Sequence, residues 1–246
     1  MVHRPGLFER LEHELHVWSA IPDALATSDP NWERDALTLL SNNEVGRYQR
    51  YIRPSDARLF LVAHATVRRT LSLYKPLDPR SWAFVSGEHG RPEIVNAEAA
   101  GLRFNLSHTE GLVALLVHNT IDAGIDVERV GRVDDLLQIG GTVFADSELR
   151  GVTALGDAEQ QERFYRLWTL KESFIKATGK GLTEPLKDFA FDLERLPAIG
   201  FNCEPSVDAN PNAWKFDQHA PSDEHFLAVA QRVDLGELPR VVVDLN

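Results

Sequence analysis

Gly124-Ile125-Asp126-Val127-Glu128 sets the frame for reading this chain. Side chains alternate across a strand, so Ile125 and Val127, with Ile121 and Ala123, share one face, and Asp122, Gly124, Asp126 and Glu128 share the other. One face is apolar and the other strongly acidic. Concentrated negative charge on one strand costs stability unless a cation offsets it. About forty residues further on, Trp168-Thr169-Leu170-Lys171-Glu172-Ser173-Phe174-Ile175-Lys176 reads as helix, with Glu172 and Lys176 four residues apart on one face. Three carboxylates and a lysine can hold a hard divalent cation against a phosphate-bearing ligand. The pattern therefore predicts a magnesium-dependent enzyme acting on a phosphoanhydride. Two plainer readings stay open on pattern alone: the solvated face of an edge strand, and a surface helix pair worth about 0.3–0.5 kcal/mol.

Upstream, Arg103 to Ser107 and Leu112 to Val117 read as strands, joined to each other and to Ile121 to Glu128 by the turns Thr109-Glu110-Gly111 and His118-Asn119-Thr120. Turns this short predict an antiparallel meander. Its first and third strands would run the same way, placing His108 and the Asp126/Glu128 pair on one sheet edge, roughly 10 Å apart. Downstream, Asp146 opens a short helix ending near Gly156. Asp157 with Gln160 resembles a capping box for the longest helix, Ala158 to Thr178, which Gly179 stops. Phe164, Leu167, Leu170, Phe174 and Ala177 form its buried stripe, and Lys171 reads as a surface or carboxylate-pairing lysine. Phe189 to Leu193, Trp214 to Gln218 and Phe226 to Val233 read as strands, and Pro197 to Pro211 as an irregular loop.

The N-terminal half repeats the plan. A strand or loop near Leu15 to Trp18 precedes a polar, helix-compatible stretch from Asn31 to Tyr51. Pro54 then punctuates the chain, and Ser55 caps a helix running to Tyr74, with Leu59, Val62, Ala63, Thr66, Val67 and Leu71 as its stripe. Arg68-Arg69 falls to the solvated face, and His13 and His16 to exposed positions. Ser81 to Val85 reads as a strand, followed by the loop Gly87-Glu88-His89-Gly90-Arg91-Pro92. Trp82-Ala83-Phe84 and Phe189-Ala190-Phe191 echo one another. The expectation is an α+β fold of two pseudo-symmetric lobes, each a small, mainly antiparallel sheet packed with a long helix. They would span residues 1–120 and 121–246, the second carrying the metal and catalytic residues.

A length of 246 residues accommodates two such lobes, and 43% hydrophobic with 26% charged residues is the composition of a water-soluble globular protein. A net charge of −11 argues against general affinity for nucleic acid or anionic membrane. Cys203, the sole cysteine, excludes an internal disulfide or thiolate metal cluster and suits a cytoplasmic setting. The N-terminus lacks the apolar run of a signal peptide, and the longest apolar stretch, Leu112 to Val117, is too short to cross a bilayer. Gly179-Lys180-Gly181 ends a helix where a phosphate-binding loop would start one, so it is not read as such.

Phe104-Asn105-Leu106-Ser107-His108, Gly124 to Glu128 and Trp168 to Lys176, in that order, together resemble the 4′-phosphopantetheinyl transferases of the surfactin-synthetase-activating (Sfp) type. Gly90-Arg91-Pro92 and Gly179-Lys180-Gly181-Leu182 add to the likeness, which is dense from Trp82 to Phe191. The resemblance implies a monomer with coenzyme A in a cleft between the lobes. It also implies transfer of the phosphopantetheine arm to a serine of an acyl, polyketide or peptidyl carrier protein, with release of adenosine 3′,5′-bisphosphate. By position, it implies Asp126, Glu128 and Glu172 as magnesium ligands and Lys176 near the diphosphate. Ser107 and His108 would lie on the 3′-phosphate side, Arg91 near the adenine nucleotide, and Arg47 at a basic phosphate contact. Glu172 is the candidate general base, with a metal-bound water as its competitor, and Lys176 the group that stabilises the departing phosphate. Two other classes use the same residues: a magnesium-dependent phosphohydrolase or nucleotidyl transferase, and a non-catalytic module that binds coenzyme A or carrier protein.

Overall fold

The computed structural model describes residues 3–87, 90–119, 121–131, 136–233 and 239–244. Glu88 and His89 of the loop after the second strand, and Thr120 of the expected turn, lie outside the described residues. In chain order the first elements are β1 (Glu14–Ala20), α1 (Pro22–Ser28), α2 (Trp32–Leu37), α3 (Asn42–Tyr48) and α4 (Pro54–Tyr74). They are followed by β2 (Phe84–Ser86), β3 (Pro92–Ile94), β4 (Arg103–Thr109) and β5 (Leu112–His118). Next come β6 (Ala123–Arg129), α5 (Leu136–Val143), α6 (Asp146–Thr153) and α7 (Asp157–Thr178). The chain closes with β7 (Phe189–Asp192), β8 (Gly200–Cys203), β9 (Trp214–Ser222), β10 (His225–Arg232) and β11 (Arg240–Asp244). These elements form two compact units, residues 1–120 with 237–246, and residues 121–236. Each is an α+β unit with a small, mainly antiparallel sheet and one long helix.

The first unit is built on a sheet of order β11-β1-β5-β4. Every residue of β5 is buried, as a strand flanked on both edges and covered by a helix requires. Helix α4 covers it through Leu61, Val62 and Ala65 against Val113, and through Val67, Leu71 and Tyr74 against Leu115 and Val117. The expected meander stops at two strands. β5 pairs antiparallel with β4 on one edge and with β1 on the other, so no edge remains for β6, which pairs with β10 in the second unit. The single sheet edge predicted to carry both His108 and Asp126 therefore does not form. The final strand, β11, is not among the strands expected from the sequence; it lies in residues assigned to the second lobe, yet it runs parallel to β1 and joins the first unit. Glu14 fastens it: Arg240 donates to one carboxylate oxygen at 2.6 Å, while Arg10 and His16 lie 2.7 and 2.8 Å from the other.

Four further local readings change. His16 is buried on β1 between Glu14 and the hydroxyl of Tyr74, because its strand is internal to the sheet. Arg68 is buried too, donating to Glu44 and to the carbonyl of Trp82. Pro54 starts α4 instead of preceding it, since a first-turn residue needs no amide donor, and Arg53 stands at the cap position. Helix α7 begins with Gly156 at its cap and no side-chain capping bond, so Asp157 and Gln160 form no box. Its C-terminus ends as expected on Gly179, left-handed at φ 71°.

In the second unit α7 lies on the sheet β6-β10-β9. Its stripe of Phe164, Leu167, Leu170, Phe174 and Ala177 is buried with Phe226, Ala228 and Ala230 of β10 and Trp214 of β9. Phe174 sits at the centre, its ring 4.8 Å from Phe189, 5.1 Å from Phe201 and 4.7 Å from Trp214. Phe201 belongs to β8, a strand inside the stretch read as irregular, paired antiparallel with β7. Lys171 of α7 is buried and pairs with a carboxylate. Its ammonium lies 2.9 Å from Glu148 of α6 and donates to the carbonyls of Leu186 and Phe189 at 2.7 Å each. Glu148 in turn accepts the amides of Ala145 and Phe191, both at 2.8 Å. Burial pushes the Glu148 carboxyl up and the Lys171 ammonium down, and each opposes this in the other through charge. Lys171→Met, which strands a fully buried carboxylate, should cost about 3–5 kcal/mol in denaturant unfolding. Adding Glu148→Leu should recover only part of that, because four backbone groups then lose their partners. A single-variant loss below about 1 kcal/mol would mean that the pair is not a structural anchor.

Candidate active site

Gly124 determines how closely α7 approaches β6. A Cβ at this position would lie 2.3 Å from the carbonyl oxygen of Ser173 and 2.4 Å from the amide of Ala177, so no other residue fits without moving the helix. The opposing residue on β10 is Ala230, and the next is Ala228 opposite Asp126. Small side chains along this row let helix backbone rest on strand backbone. The face that carries Gly124 carries Asp126 and Glu128 as well, so the acidic face of β6 packs toward α7.

Asp126 is 4% exposed, and Lys176 donates to its Oδ1 at 2.7 Å. The lysine thus reaches from helix to sheet. Glu172 stands one turn earlier on α7 and is half-buried. Its carboxyl is pushed up, first by burial and then by the charge of Asp126, while Lys176 pulls it down. Two carboxylates therefore stand in each other's field with one ammonium between them in charge. Glu128 lies farther along the strand, opposite Phe226. It acts on Tyr165, two helical turns before Glu172. There burial first, and the Glu128 charge with it, raise the hydroxyl against a lowering hydrogen bond to Gly131.

Among the described residues no three His, Cys, Asp or Glu side chains gather closely enough to hold a metal ion. Of the expected trio Asp126, Glu128 and Glu172, the structure couples Asp126 to Glu172 and sets Glu128 one strand repeat away, about 6.5–7 Å along the backbone. The chemistry of the donors nevertheless fits a hard cation: every one is a carboxylate oxygen, and one lysine does not quench the raised proton affinity of Glu172.

The other expected residues lie in the first unit. Ser107 is buried on β4 and His108, next to it, is exposed, so the two side chains leave opposite faces of the strand. Arg91 leads into β3 and lines a cleft of about 410 Å³ with Pro92, Glu93, Arg103 and Phe104. Arg103 carries no signal in the sequence beyond its charge; the pairing of β4 brings it to this cleft. Arg47 is exposed near the end of α3, its guanidinium 5.2 Å from the centre of the Phe60 ring.

Function and stability should oppose one another at Glu172. Glu172→Gln removes a half-buried carboxylate that Asp126 repels, so thermal unfolding in chelator should be unchanged or stabilised by about 0.5–1.5 kcal/mol. A clear destabilisation would show that Glu172 is held by compensating contacts and is not a strained group.

A family model described as the 4′-phosphopantetheinyl transferase superfamily matches residues 122–230, the stretch that supplies β6, α7 and β10. The 4′-phosphopantetheinyl transferase HetI of Nostoc sp. is 29% identical over 229 residues, covering 92% of this chain and 91% of that protein. The 4′-phosphopantetheinyl transferase Sfp of Bacillus subtilis is 31% identical over 159 residues, 65% of this chain and 69% of the other. That named gsp from Aneurinibacillus migulanus is 29% identical over 171 residues, 68% of this chain and 69% of its own. With Asp126, Glu172 and Lys176 assembled inside the matched stretch, the chain belongs to the 4′-phosphopantetheinyl transferase family.

Proposed function

We propose that this enzyme transfers the 4′-phosphopantetheine arm of coenzyme A to a serine of an acyl, polyketide or peptidyl carrier protein, converting the apo carrier to its holo form. The observation that carries the reading is the Asp126–Lys176–Glu172 constellation on β6 and α7. The serine oxygen attacks the β-phosphorus of coenzyme A. The bond from that phosphorus to the bridging oxygen breaks, and adenosine 3′,5′-bisphosphate leaves with the bond's electrons. The serine proton must go to a base, and Glu172 is the candidate. Burial and the Asp126 charge raise its proton affinity above that of an ordinary carboxylate, toward the range where a general base works best near neutrality. Lys176 offers positive charge to the phosphoryl oxygens as the bond breaks. Asp126, Glu128 and Glu172 would hold Mg²⁺, which when bound supplies charge neutralisation at the diphosphate.

In this reading Arg91 receives the adenine nucleotide in the cleft it shares with Arg103, and Ser107, His108 and Arg47 serve the phosphates of coenzyme A. Asp126, coupled to Lys176, orders the lysine as well as serving the metal. The enzyme acts as a cytoplasmic monomer, on carriers of fatty-acid, polyketide or nonribosomal peptide assembly. No helix among the described residues is long and apolar enough to cross a membrane.

Intact-mass analysis of an apo carrier protein after incubation with the enzyme, magnesium and coenzyme A should show the gain of one phosphopantetheine. Release of free phosphate with no carrier mass gain would point to a phosphohydrolase instead. Glu172→Ala should lower kcat by about 10²-fold or more while the protein stays folded. Near-normal turnover at saturating magnesium would remove it as the base. Asp126→Ala should lower kcat comparably and move the magnesium titration to higher concentration; an unmoved titration would take it out of the ligand set.

A further inference from the structure

Helix α3 carries Arg47, and none of its residues is fully buried. Half-buried Tyr48, its last residue, packs against the cluster around Leu61 and Val62, and one carboxylate holds the start of the helix. Glu44 accepts the Ser41 amide at 2.7 Å and the Ser41 hydroxyl at 2.8 Å, closing a capping box at the start of α3. The same carboxylate lies 2.8 Å from His64 Nδ1 and accepts from Arg68 Nη2 at 2.6 Å, both on α4. Arg68 is 3% exposed at its side chain, so this part of the network is anchored in the core. One turn earlier on α4, Phe60 offers its ring to the Arg47 guanidinium and packs against His64, ring centres 4.1 Å apart. Besides the packing of Tyr48, helix α3 is thus pinned across α4 at two points, Glu44 on His64 and Arg68, and Arg47 on Phe60.

The spacing matters for charge. A glutamate three residues before an arginine on a helix is placed to pair with it. Here Glu44 is turned into α4, and among the described residues Arg47 has no carboxylate partner. Its flat face rests on an aromatic ring, and its fork of donors remains available to an external anion.

We propose that Glu44 is a positioning residue for coenzyme A binding. By committing its carboxylate to Ser41, His64 and Arg68 it fixes α3, and it keeps its own negative charge away from Arg47 so that the guanidinium can meet a phosphate group. The inference rests on the reading of Arg47 as a phosphate contact.

The test compares Glu44→Gln, His64→Gln, Arg47→Ala and the Glu44→Gln/Arg47→Ala double variant in the full-length enzyme. Steady-state kinetics would vary coenzyme A and carrier separately, and calorimetry would follow adenosine 3′,5′-bisphosphate. Glu44→Gln and His64→Gln should raise KM for coenzyme A and Kd for the bisphosphate by about tenfold, with kcat and KM for the carrier unmoved. The double variant should be no weaker than Arg47→Ala alone. If Arg47→Ala weakens binding but Glu44→Gln and His64→Gln do not, or if the double variant shows the full product of both effects, the positioning role is overturned while the Arg47 reading stands. If Arg47→Ala leaves both constants unchanged, the Arg47 reading fails and this inference with it. His64 is part-exposed, so His64→Gln decides the matter should Glu44→Gln not fold.

Discussion

The seating of α7 on β6 at Gly124 governs what the rest of the second unit can do. Backbone meets backbone there, and the aromatic core around Phe174 supplies the burial that holds the two together. One strand repeat beyond the glycine, Asp126 is carried into a site too dry for an isolated carboxylate. It is held by Lys176 and in turn acts on Glu172. The chemistry that the site can perform follows from this geometry. A carboxylate made more basic by its surroundings can accept a proton, and the lysine beside it can stabilise phosphate charge. A larger residue at 124 would lift the helix and separate these groups, with no change in any of them.

An acidic chain need not be acidic everywhere. Several of its carboxylates are consumed internally as hubs. Glu148 binds Lys171 and two amides, Glu44 binds Ser41, His64 and Arg68, and Glu14 binds His16, Arg10 and Arg240. Each ties one element to another: α6 to β7, α3 to α4, and β11 to β1. Hydrogen bonding from His16 first, and then from Arg240 and Arg10, pulls Glu14 down to about 2 despite some desolvation. Because its folded value lies below that of a free glutamate, its support for β11 is in place above about pH 4.5 and is lost as pH falls through about 2. For Glu44, burial works against ionisation, yet the bonds from His64, Ser41 and Arg68 outweigh it and hold the group well below the usual carboxylate range. The exposed cations left over, Arg47 among them, then set the local character of the surface against the net charge.

Much was readable within short windows. The stripe of α7, its glycine stop, the strands β4, β5 and β6, and the placing of Asp126 and Glu128 on one strand face all follow from periodicities of 3.6 and 2. Lys171 as a carboxylate-pairing lysine was readable as well, although its depth was not. Other features left no local trace. β8 hides in a stretch broken by prolines. Arg68 and His16 look like surface residues until their partners arrive from 24 residues upstream and 58 residues downstream. Arg103 is an ordinary strand arginine until the hairpin of β2 and β3 forms a cleft beside it.

The deepest difference concerns β5. Residue order states that this segment is a wholly apolar strand with a hairpin partner just before it, and that the next strand bears the acids. It does not state which strand takes the second edge. Every strand edge offers the same row of amides and carbonyls, so pairing is decided by which arrangement buries the most apolar surface across the entire chain. Here β1, about a hundred residues earlier, wins that edge, and β6 goes to β10, about a hundred residues later. Local chemistry named the acids and the lysine. Competition between distant segments determined which of them would meet.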